Sequence, residues 1–195
     1  MKIKFKDIFV PTITLFVICL IVSALLAGTN ALTKEPIAAN ELKKSQNAMF
    51  AVCPDAVSFE GEKGLEVEVY KALNESGEVI GFAIPVASKG YGGDVSVMVG
   101  IAFEGETALG KVTGVEILSH SETPGLGANA TNESFLKEYK QDITASGFEV
   151  VKDSTGGGEG KIDAITGATI TSNAVTNAVN EALNIYMSLC EGGVL

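Results

Sequence analysis

Residues 163–172 read Asp-Ala-Ile-Thr-Gly-Ala-Thr-Ile-Thr-Ser, a run of hydroxyls among side chains too small to obstruct a large phosphorylated partner. Gly167 and Ala168 let another molecule approach the backbone closely. Thr169 supplies a hydroxyl that can become a phosphoester, and the diester so formed keeps one negative charge. A helix pattern follows at once, with Thr171 or Ser172 placed as its N-cap. The start of a helix exposes unpaired N–H groups and the positive end of the dipole, which stabilise a phosphate. Two readings therefore stand side by side: a plain helix cap, or a phosphate seat with an esterifiable hydroxyl.

A second segment bears on that choice. Ser119-His120-Ser121-Glu122-Thr123-Pro124-Gly125-Leu126-Gly127-Ala128 follows a strand pattern and leads into a helix. Pro124 and its neighbouring glycines fix a tight, exposed loop of the kind that holds ligands. His120 between two serines invites a hydrolase reading, but neighbours on an extended segment point to opposite faces, and no Gly-x-Ser-x-Gly elbow occurs. The run Thr155–Lys161 looks faintly like a phosphate loop, yet it lacks the Ser/Thr after lysine and reads as a surface loop.

These chemistries need a scaffold, and the chain reads as α+β. Residues 8–33 carry no charge and are long enough as a helix to cross a bilayer. Lys2, Lys4 and Lys6 precede them with one acid, Asp7, so residues 1–7 should stay cytoplasmic and the rest face outward. A cleavable signal is the alternative; the apolar run exceeds a typical signal core. Residues 34–56 form a helical linker, with Pro36 opening a second helix. Residues 57–195 make the folded domain. Strands are expected at Leu65–Tyr70, Val79–Val86, Val95–Phe103, Lys111–Ser119 and Gly147–Lys152, joined by short turns that favour an antiparallel meander. Pro85 belongs at an edge or bulge. A short helix capped by Thr131 or Asn132 contains Phe135, Leu136 and Tyr139. A last helix from Ser172 shows one apolar face through Val175, Ala178, Val179, Ala182, Leu183, Tyr186 and Leu189.

Composition narrows the function classes. The chain has 14 lysines, no arginine and 24 acids, for a net charge of −10, a poor match to nucleic acid. Cys19, Cys53 and Cys190 fit no zinc, haem or CxxC spacing, and one histidine leaves little for a protein-ligated metal. Cys53 and Cys190 can be free or paired.

Together the two loops resemble the covalent-FMN-binding domain shared by the G subunit of the Rnf electron-transport complex and the C subunit of the sodium-pumping quinone reductase. The resemblance rests on Asp163 to Thr169, on His120 with Glu122 to Gly127, and on Gly90-Tyr91-Gly92-Gly93 before a strand. The single N-terminal span with an outward domain also fits the family, and the compact length favours the Rnf subunit. The resemblance implies FMN held to Thr169 by a phosphoester and installed by a separate flavin transferase with FAD as donor. Asp163, Thr166, Gly167 and Ala168 would surround the attachment point. Glu122, Thr123, Pro124, Gly125, Leu126 and Gly127 would lie against the flavin ring, with Leu126 as an apolar wall. It also implies an electron-relay subunit of an ion-translocating ferredoxin–NAD oxidoreductase in the cell membrane, beside integral membrane and redox subunits, without complete turnover alone. A stand-alone extracytoplasmic flavin carrier and a non-redox anchored binding module are the alternatives.

Overall fold

The computed structural model describes residues 5–62, 67–103, 109–152 and 158–191. It divides into two units, Met1–Lys43 and Lys44–Leu195. The first unit is helical throughout its described length and belongs to α1, Phe5–Val52. Large apolar side chains such as Leu15, Phe16, Leu25 and Leu26 are exposed around it, the pattern of a helix that meets lipid rather than a protein core. The expected break at Pro36 does not occur: α1 is one helix with Pro11 and Pro36 inside it. A proline removes one donor and crowds one carbonyl, and the bonds on either side can carry the helix past it.

The second unit begins with the last turns of α1. Five antiparallel strands follow in the order β1 (Ser58–Gly61), β2 (Tyr70–Leu73), β3 (Val79–Lys89), β4 (Asp94–Ala102) and β5 (Lys111–Ser119). This is the meander that short turns predict, with two changes. The expected strand over Leu65–Tyr70 starts only at Tyr70; Leu65 and Glu66 lie outside the described residues, and exposed Val67 precedes the sheet. β1 has no alternating signature and forms by pairing with β2. Pro85 pairs with Met98 of β4 beyond the point where β2 pairing ends at Ala83, so β3 has one partner there and tolerates a missing N–H.

Period-two alternation in β4 sends residues to two cores. Val95, Val97, Val99 and Ile101 join a large core with Phe82, Ile84, Tyr139, Val179, Leu183 and Tyr186. That core lies under α3, Thr169–Glu191. Met98 faces the other side and packs with Ala48, Met49, Val52 and Cys53. A helix therefore covers each face of the sheet. Cys53 and Cys190 belong to these separate cores and are both free thiols. Burial pushes the Cys53 thiol up to about 11, as expected of an inert structural cysteine.

The end of α1 sits very close to the sheet. Gly100 and Gly114 are register partners on β4 and β5, and any side chain on either would collide with the backbone of Val52. Thr113 Oγ1 donates to the Val52 carbonyl, and Lys44 Nζ donates to the Leu118 carbonyl.

Between β5 and α3 the chain makes 3₁₀ turns at Gly127–Thr131 and Lys137–Tyr139 around α2, Glu133–Leu136. The single expected helix is split into α2 and the 3₁₀ turn Lys137–Tyr139, and the Asn132 side chain makes no cap bond. β6 (Glu149–Val151) pairs in parallel with β7 (Lys161–Asp163), a strand too short to show any periodicity. Residues 153–157 of the glycine-rich loop lie outside the described residues.

The glycine pair gives a direct test. Gly100→Val should destabilise the full chain by about 1–3 kcal/mol through overpacking against Val52. Its thermal midpoint in detergent should fall by several degrees, whereas Gly77→Asn, on an open turn at φ 79°, should cost far less.

Candidate functional site

α3 starts at Thr169, three residues earlier than the cap reading predicts. Thr171 and Ser172 are therefore inside its first turn and are not N-caps. The local turn explains the shift. Gly167 adopts φ 75°, which suits glycine, and Ala168 N–H donates to the Ile165 carbonyl at 2.9 Å. Ser172 Oγ accepts from Ile165 N–H at 2.9 Å and donates to the Ala168 carbonyl at 3.1 Å, closing the loop onto the helix. One turn on, Thr176 Oγ1 donates to the Ser172 carbonyl at 3.0 Å and lies 2.7 Å from the buried Tyr139 hydroxyl.

Thr171 has a different duty. Its hydroxyl donates to Glu122 Oε2 at 2.8 Å across 49 residues of sequence. Glu122 Oε1 accepts from Tyr91 N–H at 2.8 Å and from Gly92 N–H at 3.1 Å. One buried carboxylate, 6% exposed, thus joins the Gly90–Gly93 turn, the Glu122–Gly127 loop and the start of α3. The fit is tight: a side chain on Gly127 would come within 2.6 Å of Thr171 Oγ1. His120 Nδ1 accepts from Glu122 N–H at 3.2 Å, which orients the loop from behind.

The three segments enclose an open cleft of about 640 Å³, within the range of small-molecule and cofactor pockets. Of the residues singled out from sequence, Glu122, Thr123, Leu126, Gly127, Gly167, Ala168 and Thr169 line it. Thr166, Pro124 and Gly125 lie outside the lining. Asp163 ends β7, where its N–H donates to Glu138 Oε2 at 2.6 Å, and it borders a separate cleft with Gln141, Glu159 and Lys161. Sequence reasoning missed Tyr91, Ile170 and Thr171 as lining residues. The glycine-tyrosine turn carried a signal for Tyr91; Thr171 was masked by its resemblance to a cap.

The cleft suits a flavin mononucleotide. Tyr91, Leu126 and Ile170 are large apolar side chains left 71%, 46% and 55% exposed around it. At the helix end, first-turn N–H groups without intrahelical acceptors favour a phosphate. Thr169 is half-buried, and among the described residues no hydrogen bond engages its hydroxyl. The hydroxyls of Thr171 and Ser172 are both committed.

Electrostatics at Glu122 set the acid limit of this arrangement. Burial raises its pKa, but the bonds from Thr171, Gly92 and Tyr91, with a smaller contribution from His120, outweigh that and hold the carboxyl below its usual 4.5. A carboxylate depressed on folding stabilises the native state above its unfolded pKa and loses that contribution as pH falls through the folded value. Urea midpoints of wild type and Glu122→Gln should therefore differ most at neutral pH, and the gap should close on acidification below about 4.5.

Comparison with known proteins gives the family. Residues 90–184 match the FMN-binding domain and residues 1–52 match the RnfG N-terminal region. The G subunit of the proton-translocating ferredoxin:NAD(+) oxidoreductase complex of Clostridium ljungdahlii is 38% identical over 91% of both chains. The G subunit of the Na(+)-translocating ferredoxin:NAD(+) oxidoreductase complex of Acetobacterium woodii is 35% identical over 96% of both. Its counterpart in the ion-translocating oxidoreductase complex of Methanosarcina acetivorans is 32% identical, covering 96% of this chain and 98% of its own. The crystal structure of Shewanella oneidensis NqrC superposes with a TM-score of 0.54 at 21% identity, over 71% of this chain and 73% of that one, a likeness of fold. With its FMN-binding domain and end-to-end similarity to these proteins, the chain belongs to the G-subunit family of ion-translocating oxidoreductase complexes.

Proposed function

We propose that this chain is the flavin-carrying electron relay of a ferredoxin–NAD oxidoreductase that moves ions across the membrane, with FMN esterified to Thr169. Several features support the reading, and one carries it. Four hydroxyls lie between residues 166 and 172, and only that of Thr169 both lines the cleft and is unengaged among the described residues. Thr166 is exposed outside the lining, while Thr171 and Ser172 are buried and bonded.

Attachment requires a transferase and FAD. The Thr169 oxygen bonds to the phosphorus of the FMN half, the pyrophosphate bond breaks, AMP leaves, and the hydroxyl proton passes to a base of the transferase. The ester that remains carries one negative charge at the start of α3, where the dipole favours it. Gly167 and Ala168 keep the approach open. Asp163 and Thr166, outside the cleft, are assigned to recognition by the transferase rather than to holding the finished cofactor. Thr123, Pro124 and Gly125 shape the loop that presents Leu126 to the ring. Bound there, FMN supplies one- and two-electron transfer, and this chain supplies position and electrostatics.

The apolar helix α1 fits a membrane anchor, with the lysine-bearing tip cytoplasmic and the domain outside. Outside the cell a dissociated flavin is lost, so a covalent tether keeps the site filled. The anchor holds the relay near the other subunits at high effective concentration. By itself the subunit completes no turnover.

Intact mass after co-expression with a flavin transferase tests the assignment. Wild type should gain one FMN less one water and fluoresce on a denaturing gel. Thr169→Ala should gain nothing. An adduct retained in Thr169→Ala would overturn the attachment site, and an unmodified, colourless wild type would leave an anchored binding module.

A further inference from the structure

The carboxylate of Glu122 is a cleft-lining charge with no lysine paired to it among the described residues. It is 6% exposed, and its three bonding partners are neutral: a hydroxyl and two backbone N–H groups. His120 makes no ion pair with it; its Nδ1 accepts from Glu122 N–H at 3.2 Å. Among the described residues no lysine pairs with Glu122, and the chain has no arginine. The same three bonds keep the group ionised at neutral pH. A full negative charge is thus fixed at the wall of a cleft whose other lining side chains are uncharged, Tyr91, Leu126 and Ile170 among them.

From this geometry we infer that Glu122 tunes the redox potential of the cofactor, holding it low by electrostatic repulsion of the reduced state. The inference rests on the reading of the cleft as the seat of FMN. Uptake of two electrons and one proton leaves a flavin one charge more negative, the electrons coming from a neighbouring one-electron carrier of the complex and the proton from water. A fixed negative charge nearby, poorly screened by solvent, disfavours that product relative to the oxidised ring. The bond from Thr171 works in the opposite sense, because its dipole draws charge density toward α3 and partly offsets the field. Glu122 is on this account a positioning residue for three chain segments and a tuning charge for the group they enclose.

The two duties separate experimentally. The flavinylated full chain in detergent is titrated with dithionite against mediator dyes, its adduct first verified by intact mass. Glu122→Gln keeps the side-chain shape and removes the charge. It should shift the reduced-to-oxidised ratio at fixed ambient potential about tenfold toward reduced, or about 30 mV upward for a two-electron couple. Thr171→Val removes a neutralising dipole and should move the midpoint downward. Opposite shifts are not expected from two variants that merely loosen one clasp. A flavinylated Glu122→Gln with an unchanged or lower midpoint overturns the inference while leaving the FMN reading intact. Should Glu122→Gln fail to fold, Thr171→Val decides: a fall supports the tuning role and no change or a rise overturns it. A wild type without flavin overturns the reading and the inference together.

Discussion

Taking a carboxylate out of water costs several kcal/mol unless its oxygens are met by well-placed donors. Glu122 meets that condition only when three separate stretches of chain are in place. Tyr91 and Gly92 must present their N–H groups, the Glu122–Gly127 loop must fold inward, and α3 must begin early enough to offer Thr171. The requirement works in both directions. A loop that failed to close would strand a buried charge, and a charge left in solvent would release the loop. The cleft is the space these three segments enclose, so its shape follows from one side chain's need for hydrogen bonds.

The rest of the domain supplies rigid ground for that clasp. The Gly90–Gly93 turn and the loop after β5 belong to one sheet, whose opposite faces are filled by α3 and by the end of α1. Glycines at 100 and 114 let Val52 come close enough for its carbonyl to bond with Thr113. On the other face, Tyr139, Thr176 and Ser172 form a buried polar chain along α3 toward Ala168. Engaged hydroxyls fix the helix, whereas among the described residues no hydrogen bond engages that of Thr169 at the cleft.

The family relationship and the physical picture support each other at different levels. Similarity over nearly whole chains makes this a member of the G-subunit family, and the matched FMN-binding domain names the cofactor class. Neither says which residues meet the cofactor. The cleft bordered by the exposed side chains of Tyr91, Leu126 and Ile170 at the start of α3 is the physical ground on which the proposed seat rests.

Much of this was legible in the residues alone. Uncharged residues 8–33, the alternation through Val95–Ile101 and the 3.6-residue stripe of the last helix depend on local periodicity, and each produced the element expected. The hydroxyl-glycine-alanine run and the proline-glycine loop announced themselves by type and spacing. What sequence could not supply were relations across distance. Short β7 arises from pairing with β6, the unbroken helix at Pro36 from bonds on either side, and the true start of α3 from Ser172 reaching back to Ile165. Asp163 reads as part of the same motif as Thr169, yet a few residues of turn carry it to another cleft. Adjacency along a chain fixes which side chains are near each other locally. Which carboxylate meets which hydroxyl is decided only when burial forces every polar group to find a partner, and that choice belongs to the tertiary fold.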